Sequence, residues 1–289
     1  MDKLSTKNSI VREIPSDSRS RGIELSVIIV DYKSTDFTIR LVADLLTKLS
    51  KLRFEIIVVD NNPESRADKK IRGHFKDDNL KVIKAKKNAG FGSGNNLGAV
   101  DATGEFLLLL NPDTEIVDGA IETMLNFLAK HPEIGALTPL IYQRDGKTLQ
   151  RHFFGRFQTL ANMLTRRQAG VMAKNPPKFF YAEMITAAAL MIRSELFEKL
   201  SGFDQNFFMY LEDEDLCRRI SKLGLKNAVL TSAKIIHLEG QSSTSFEKKK
   251  FYYKSQDYYW QKHYGRFLTV VMKIVRFPYI IFQRIGRAD

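Results

Sequence analysis

Two short runs, ELSVIIVDY (Glu24–Tyr32) and FEIIVVDN (Phe54–Asn61), constrain this chain more than any other feature. Both are rich in β-branched residues and almost continuously apolar, the form of strands covered on both faces. Between them FTIRLVADLLTKLSKL carries Ile39, Val42, Leu45, Leu46 and Leu49 at helical spacing. A strand, a helix and a second strand in that order make a crossover, so the strands are expected to be parallel. LKVIKAK, EFLLLLNPD, IGALTPLIY and ITAAALMIR add further strands. GAIETMLNFLAKHP and SELFEKLSG add helices, the second with Ser194 as its N-cap. The predicted fold is α/β, a mostly parallel central sheet with flanking helices. No fixed-period repeat interrupts it.

Open α/β sheets bind ligands in the crevice beyond the carboxyl ends of their strands. Asp31, Asp60 and Asp113 each fall at such an end. Singly, each reads as a turn former; three at one crevice point to a site. NAGFGSGNNLGA (Asn88–Ala99) sets four glycines and three asparagines between a strand and a helix. Such a turn lets backbone approach a phosphate or sugar, and the helix start that follows favours negative charge. Its spacing matches neither the dinucleotide fingerprint nor the P-loop, which disfavours both of those classes. In LLLLNPDTE, Pro112 fixes its own φ and restricts Asn111, holding Asp113 on a stiff turn. A carboxylate so held suits a hard divalent cation, Mg²⁺ or Mn²⁺, bridging to diphosphate oxygens; an ordinary turn carboxylate is the alternative.

FFMYLEDEDLCRRISKLG (Phe207–Gly224) places Glu212, Asp213, Glu214 and Asp215 directly behind an aromatic cluster. Acids in a helix's first turn are favoured by the macrodipole by about 0.3–1 kcal/mol each. Adjacent helical positions point about 100° apart, so the four cannot share one task. Glu214 is expected to face solvent, and Asp215 to cap the helix or pair with Arg218 or Arg219.

The chain has 289 residues, 44% of them apolar, enough for one large domain with an appendage. Its single cysteine, Cys217, allows no internal disulfide and fits a reducing compartment, with a buried thiol as the default. Residues 1–22 read as a flexible polar leader without the apolar core of a signal peptide, and no run is apolar enough to span a bilayer. A cytoplasmic location is therefore expected. The net charge of +12 is concentrated at the end of the chain. From Phe246 to Asp289 ten Lys/Arg stand against three acids, interleaved with aromatic and apolar residues. Residues 244–289 accordingly read as a helical tail that lies on an anionic membrane surface, packs on the catalytic domain or forms a homodimer contact. No nucleic-acid module accompanies the charge, so no nucleic acid is expected as a partner. Residues 143–178, rich in Arg, Gln, Phe and Pro, read as an irregular segment over the crevice.

VIIVDYKS, EIIVVDNNPES, NAGFGSGNNLG, LLLLNPDTE, ALMIRSELFEKLSGFDQNFFMYLEDEDLCRRISKLG and IIHLEGQSS stand in the order and spacing of the bacterial family 2 glycosyltransferases. The chain resembles that family from about Leu25 to Ser243, nearest its rhamnosyltransferase-like branch, which builds O-antigen and related polysaccharides. The resemblance implies a GT-A fold, with a nucleotide-sugar half over 23–142 and an acceptor half over 143–243. It implies transfer with inversion from a nucleoside-diphosphate sugar, dTDP-rhamnose first, to a polyprenyl-diphosphate-linked or other glycan acceptor on the inner face of the cell membrane. By motif, Asp60 corresponds to the reader of a pyrimidine base, and Asp31 and Tyr32 line the nucleotide pocket. Asn88, Gly90, Asn96 and Gly98 form the turn beneath the nucleotide sugar, with Asn111 beside them. Asp113 is the metal ligand, helped by His237. Asp213 is the general base, Glu212 its supporting neighbour, and Phe207, Phe208 and Tyr210 shape the acceptor pocket. Lys33, Pro63, Asn111 and Ala187 depart from the usual family residues, and Asn111 leaves one carboxylate fewer for the metal. A UDP-hexose or UDP-N-acetylhexosamine donor, or a non-catalytic sugar-nucleotide-binding or membrane-scaffold protein, are the alternatives.

Overall fold

The structure, a computed structural model, describes residues 22–165, 168–238 and 245–285. Residues 1–21 of the leader, Arg166, Arg167 and the EGQSS of IIHLEGQSS lie outside those residues. Strand β1 (Leu25–Asp31), helix α1 (Thr35–Lys48) and strand β2 (Phe54–Asp60) form the expected crossover, with β1 and β2 parallel and in register from Leu25↔Phe54 to Asp31↔Asp60. Helix α2 (Ala67–His74), strand β3 (Leu80–Lys84), helix α3 (Phe91–Val100) and strand β4 (Phe106–Leu110) continue it. Every residue of β1, β2 and β4 is buried, as their nearly continuous apolar runs require, with Ser26 and Glu55 satisfied by a 2.7 Å hydrogen bond to each other.

A short β5 (Thr114–Ile116), helix α4 (Ala120–Lys130) and β6 (Ile134–Tyr142) follow. Then come β7 (Phe154–Gly155), α5 (Leu160–Thr165), β8 (Phe179–Ala182), β9 (Met184–Ile185), β10 (Ala189–Arg193), α6 (Ser194–Lys199), α7 (Glu212–Lys222), β11 (Lys226–His237) and α8 (Ser245–Ile285). The main sheet runs β3-β2-β1-β4-β10-β6-β11-β5, with β8 on β11. Strand β10 is antiparallel to both β4 and β6, and two reversals restore direction, so β6 and its parallel neighbour β11 run with β4. The carboxyl ends of β1, β2, β4 and β11, and the start of β10, therefore share one edge. Ser194 does not cap α6; it is the first helical residue, and its hydroxyl donates to the Gly104 carbonyl at 2.5 Å. Cys217 is buried, its Sγ 3.5 Å from the Ile185 carbonyl, and burial pushes the thiol up out of the reactive range.

The tail is helical and packs back on the domain. Phe207, Leu211, Tyr259, Trp260 and Met272 form a second apolar cluster separate from the sheet core. Gly265, at φ 82° and ψ 173°, breaks α8 into two segments. The second turns back on the first: Arg276 donates to Gln256 Oε1 at 2.9 Å and pairs with Asp257 at 2.8 Å. Among the described residues no helix is long and apolar enough to cross a membrane.

Candidate functional site

At the shared sheet edge the Asn111–Asp113 turn leaves β4. Asn111 N donates to the Ala188 carbonyl at 2.9 Å, tying this turn to the start of β10. Thr114 opposite His237 and Leu238 N on the Asp113 carbonyl bring the end of β11 alongside. His237 Nε2 thus lies 3.1 Å from Asp113 Oδ1 and 3.3 Å from Asn111 Nδ2, while its Nδ1 lies 3.0 Å from Gln150 Oε1. Nε2–H can donate to the carboxylate as the side chains stand; with the proton on Nδ1 instead, donated to Gln150, the Nε2 lone pair would be free for a cation shared with Asp113.

That arrangement fits a divalent cation. A nitrogen and an oxygen about 3 Å apart can both ligate one ion at about 2.0–2.2 Å, and a ligating histidine characteristically donates its other ring N–H to a polar partner. Gln150, in the segment read as irregular, is that partner, and no motif had marked it. The donor set would be Asp113 and His237, since Asn111 turns its Nδ2, a hydrogen-bond donor, toward the imidazole; among the described residues no cluster of three or more His, Cys, Asp or Glu side chains occurs.

Asp31 and Asp60 do not line the crevice as expected. Asp31 is buried and accepts from Thr38 Oγ1 at 2.5 Å and Thr35 Oγ1 at 3.4 Å, securing the start of α1. Burial, then the neighbouring Asp60 charge, raise its carboxyl above the usual range. Asp60 is fully buried and accepts from Ser65 Oγ, Asn62 N, Asp68 N and Lys84 Nζ, all within 3.3 Å. It organises the β2–α2 turn instead of presenting an oxygen to a base. Strand-end carboxylates with a helix start beside them are satisfied locally, which is the turn reading that each one alone favoured. Tyr32 next to them stays half-buried, with the Lys33 ammonium 5.4 Å from its ring centroid.

The glycine turn is shorter than expected. It ends at Gly90, and Phe91–Val100 is helix. Gly98 and Asn96 belong to that helix and not to the turn. A Cβ on Gly98 would stand 2.7 Å from Ile28 Cγ2, so its bareness lets α3 press on β1. Asn96 exchanges two 2.8 Å hydrogen bonds with the Phe203 backbone. Asn88 and Gly90 do form the turn, held by Asn61, whose Nδ2 donates to Asn88 Oδ1 at 3.1 Å and to the Gly90 carbonyl at 3.2 Å. Phe91 N donates to the Phe208 carbonyl at 3.1 Å, joining this turn to the segment before the acids.

That segment is strained. Tyr210 and Leu211 take φ of 70° and 68°, left-handed values that cost a non-glycine residue about 1–2 kcal/mol each. Packing holds them there: Phe207 is wholly buried against Tyr258, and Ser255 Oγ donates to the Met209 carbonyl at 2.7 Å. Phe207 therefore anchors α8 and is no acceptor wall, because the tail covers it. Phe208 and Tyr210 are half-buried beside Phe251 and Tyr252 of the same helix.

The acids divide as helix geometry requires. Asp213 is half-buried, its Oδ1 accepting from Glu214 N at 2.8 Å, with the Thr186 hydroxyl and Ala187 N also donating to the carboxylate. Through Thr186–Ala188 it adjoins the turn that carries Asn111. Glu212 is buried with Oε2 unpartnered among the described residues; burial, then the Asp213 charge, push it up to about 8. Burial raises Asp213 too, but its donors favour the charged form, so Glu212 keeps the shared proton at neutral pH. Glu214 does not face solvent. It is buried, accepts from Gln158 N at 2.6 Å, and burial lifts it to about 7. Gln158 and Tyr259, both far away in sequence, hydrogen-bond its carboxyl, and Trp260 Nε1 in turn donates to Gln158 Oε1 at 3.2 Å. Asp215 pairs with Arg219 at 2.8 Å, one of the two expected partners, and also with Lys262 at 2.7 Å and His263 at 2.8 Å from α8. Burial opposes ionisation there, yet His263, Arg219 and Lys262 together hold Asp215 below its ordinary value.

A folded carboxyl whose pKa lies above its unfolded value of about 4.5 loses stability as pH rises from that value to about 8. Glu212→Gln removes this loss. Its melting temperature is expected to match the parent near pH 5 and exceed it by several degrees at pH 8.5 in thermal denaturation. Equal melting temperatures across that range would show Glu212 ionised in the fold at no cost.

Among known proteins, the family model described as "Glycosyl transferase family 2" matches residues 26–199, and one described as "N-terminal domain of galactosyltransferase" matches 166–241. The chain is 26% identical over 237 residues to the rhamnosyltransferase WbbL of Escherichia coli K12, across 78% of this chain and 87% of that protein. It is 26% identical over 194 residues to an N-acetylglucosaminyl-diphospho-decaprenol L-rhamnosyltransferase of Mycobacterium tuberculosis, across 57% of this chain and 61% of that one. The alignment with this second relative thus covers less than two thirds of that protein's length. Among solved structures, GalNAc-T7 with UDP, GalNAc and Mn²⁺ aligns at a TM-score of 0.58 and 16% identity over 78% of this chain and 45% of that chain. The Pyrobaculum calidifontis mannosyltransferase PcManGT with GDP-Man and Mn²⁺ aligns at 0.56 and 15% over 77% and 59%. These likenesses show the fold.

Proposed function

Because the chain belongs to glycosyl transferase family 2, whose model spans more than half of it, and has the GT-A fold, we propose that it transfers a sugar with inversion from a nucleoside diphosphate to a lipid-linked glycan. The donor we propose is dTDP-rhamnose and the product an O-antigen or related envelope polysaccharide, made at the cytoplasmic face of the membrane. Two relatives named as rhamnosyltransferases support the sugar, and the decaprenol-linked substrate in the name of one supports the acceptor.

One observation carries the reading: Asp213 and the Asp113–His237 pair meet at one sheet edge across the Thr186–Ala188 turn. In the proposed step the acceptor hydroxyl oxygen bonds to the anomeric carbon from the face opposite the diphosphate. The bond from that carbon to the diphosphate oxygen breaks, and the hydroxyl proton passes to the Asp213 carboxylate. Glu212, holding its own proton, keeps Asp213 as the ionised member of the pair. A divalent cation held by Asp113 and His237 would supply positive charge for the departing diphosphate. Asn88 and Gly90, with Tyr32 across the edge, would border the donor.

Ligand binding to the folded state raises apparent stability, so thermal-shift measurements with dTDP-, UDP- and GDP-sugars test the donor class. dTDP-rhamnose with Mn²⁺ or Mg²⁺ is expected to give the largest rise, and EDTA or Asp113→Ala to remove most of it. A rise only with UDP-sugars would replace the donor. No rise with any nucleotide would sink the reading as a transferase.

A further inference from the structure

Helix α8 has two sides after its break at Gly265. Thr269 and Met272 are buried against the protein. On the other side Phe267, Val270, Ile274 and Phe277 are 79%, 57%, 67% and 62% exposed. Their spacings of three, four and three residues put them on one helical stripe. Arg266 and Lys273, both exposed, fall along one margin of that stripe, Lys273 also pairing with Asp257 at 2.9 Å, and exposed Lys250 and Lys254 lie on the first segment. Scattered apolar residues on a surface need no explanation, but a contiguous stripe with a basic margin does.

We infer that the Phe267–Phe277 stripe is the docking face for an anionic lipid bilayer, with the second segment of α8 lying in the plane of the interface. Charge decides between the occupants that such a face admits. A second copy seated on the same stripe about a two-fold axis would bring Arg266 and Lys273 against their own counterparts, in a tail that carries ten Lys/Arg to three acids. An anionic headgroup layer meets the same cations with opposite charge while the aromatic and branched side chains enter the acyl boundary.

The consequence for catalysis rests on the function proposed above. The first segment of α8 holds the acid helix directly, through Lys262 and His263 on Asp215 and Ser255 on the Met209 carbonyl. Docking would thus fix α7, and with it Asp213, relative to the membrane in which a lipid-linked acceptor lies.

The full chain would be sedimented with vesicles of phosphatidylcholine alone and of phosphatidylcholine mixed with an equal part of phosphatidylglycerol. The parent protein is expected to pellet with the mixed vesicles and stay in solution with the neutral ones. Phe267→Ser combined with Ile274→Ser should weaken that binding at least about tenfold, and Arg266→Gln should weaken it less and flatten its salt dependence. All three positions are exposed, so an unchanged melting temperature checks the fold. Parent protein that ignores mixed vesicles, or a double variant that binds them equally, would overturn the inference. So would a concentration-dependent dimer that the double variant makes monomeric, since the stripe would then be a subunit contact. Vesicle binding without any nucleotide-induced thermal shift would sink the transferase reading and leave the docking face standing.

Discussion

Asp213→Asn is expected to lower turnover about 10²–10⁴-fold, the usual contribution of a positioned general base, while leaving the fold and the nucleotide-induced thermal shift intact. The amide keeps an oxygen for Glu214 N and for the donors on the Thr186–Ala187 turn. It also withdraws the charge that helps push Glu212 up to about 8, so Glu212 should titrate lower in the variant. The measurement is initial rate against pH with donor and acceptor saturating, alongside a melting curve. Turnover within about tenfold of the parent, with an unchanged melt, would place the base elsewhere. Glu214→Gln is the control: its carboxyl is enclosed by Gln158 and α8 and accepts no substrate proton, so its effect should appear in stability first.

Gly90→Ala is expected to cost at least about 2 kcal/mol of stability and most of the activity. Gly90 sits at φ 98°, and a Cβ there would stand 2.0 Å from the Phe208 carbonyl oxygen, a backbone atom that cannot swing aside. The same carbonyl accepts the Phe91 N–H, so pushing it away disturbs the Tyr210–Leu211 turn that launches the acid helix. Gly119→Ala separates conformational strain from the clash, since Gly119 has φ 73° but nothing within 4 Å of its added Cβ. Denaturant melts should therefore show the larger loss at Gly90. Equal losses would mean that the contact with Phe208 yields easily.

The parallel half of the sheet was legible because fully buried strands read as nearly continuous apolar runs, and their order follows from short right-handed crossovers. The family resemblance joins Asp113 and His237 in one role, and the β11–β5 pairing brings the two side chains within 3.1 Å of each other. The carboxylates at the ends of β1 and β2 read differently once the helix starts were in place. Thr38 and Ser65, a few residues on, satisfy them, and a short-range hydrogen bond outcompetes an open crevice. The glycine-rich stretch reads as a ligand-facing turn, yet in α3 Gly94 and Gly98 serve helix-to-sheet packing, which the same composition permits.

The sequence by itself determined the α/β order, the strand ends at which Asp31, Asp60 and Asp113 stand, and that the four acids cannot all point one way, because each depends on local periodicity; it did not determine that Glu214 is buried. Tertiary structure alone decided what each acid does. Glu214 meets Gln158 and Tyr259, and Asp215 meets Lys262 and His263, partners tens of residues away with no local signal to announce them. Helix α8 also encloses Glu214 through Tyr259 and covers Phe207 through Tyr258. The tail also faces two ways, one side packed on the domain and the other exposed, because a helix of its amphipathic width can bury only part of its circumference against a single neighbour.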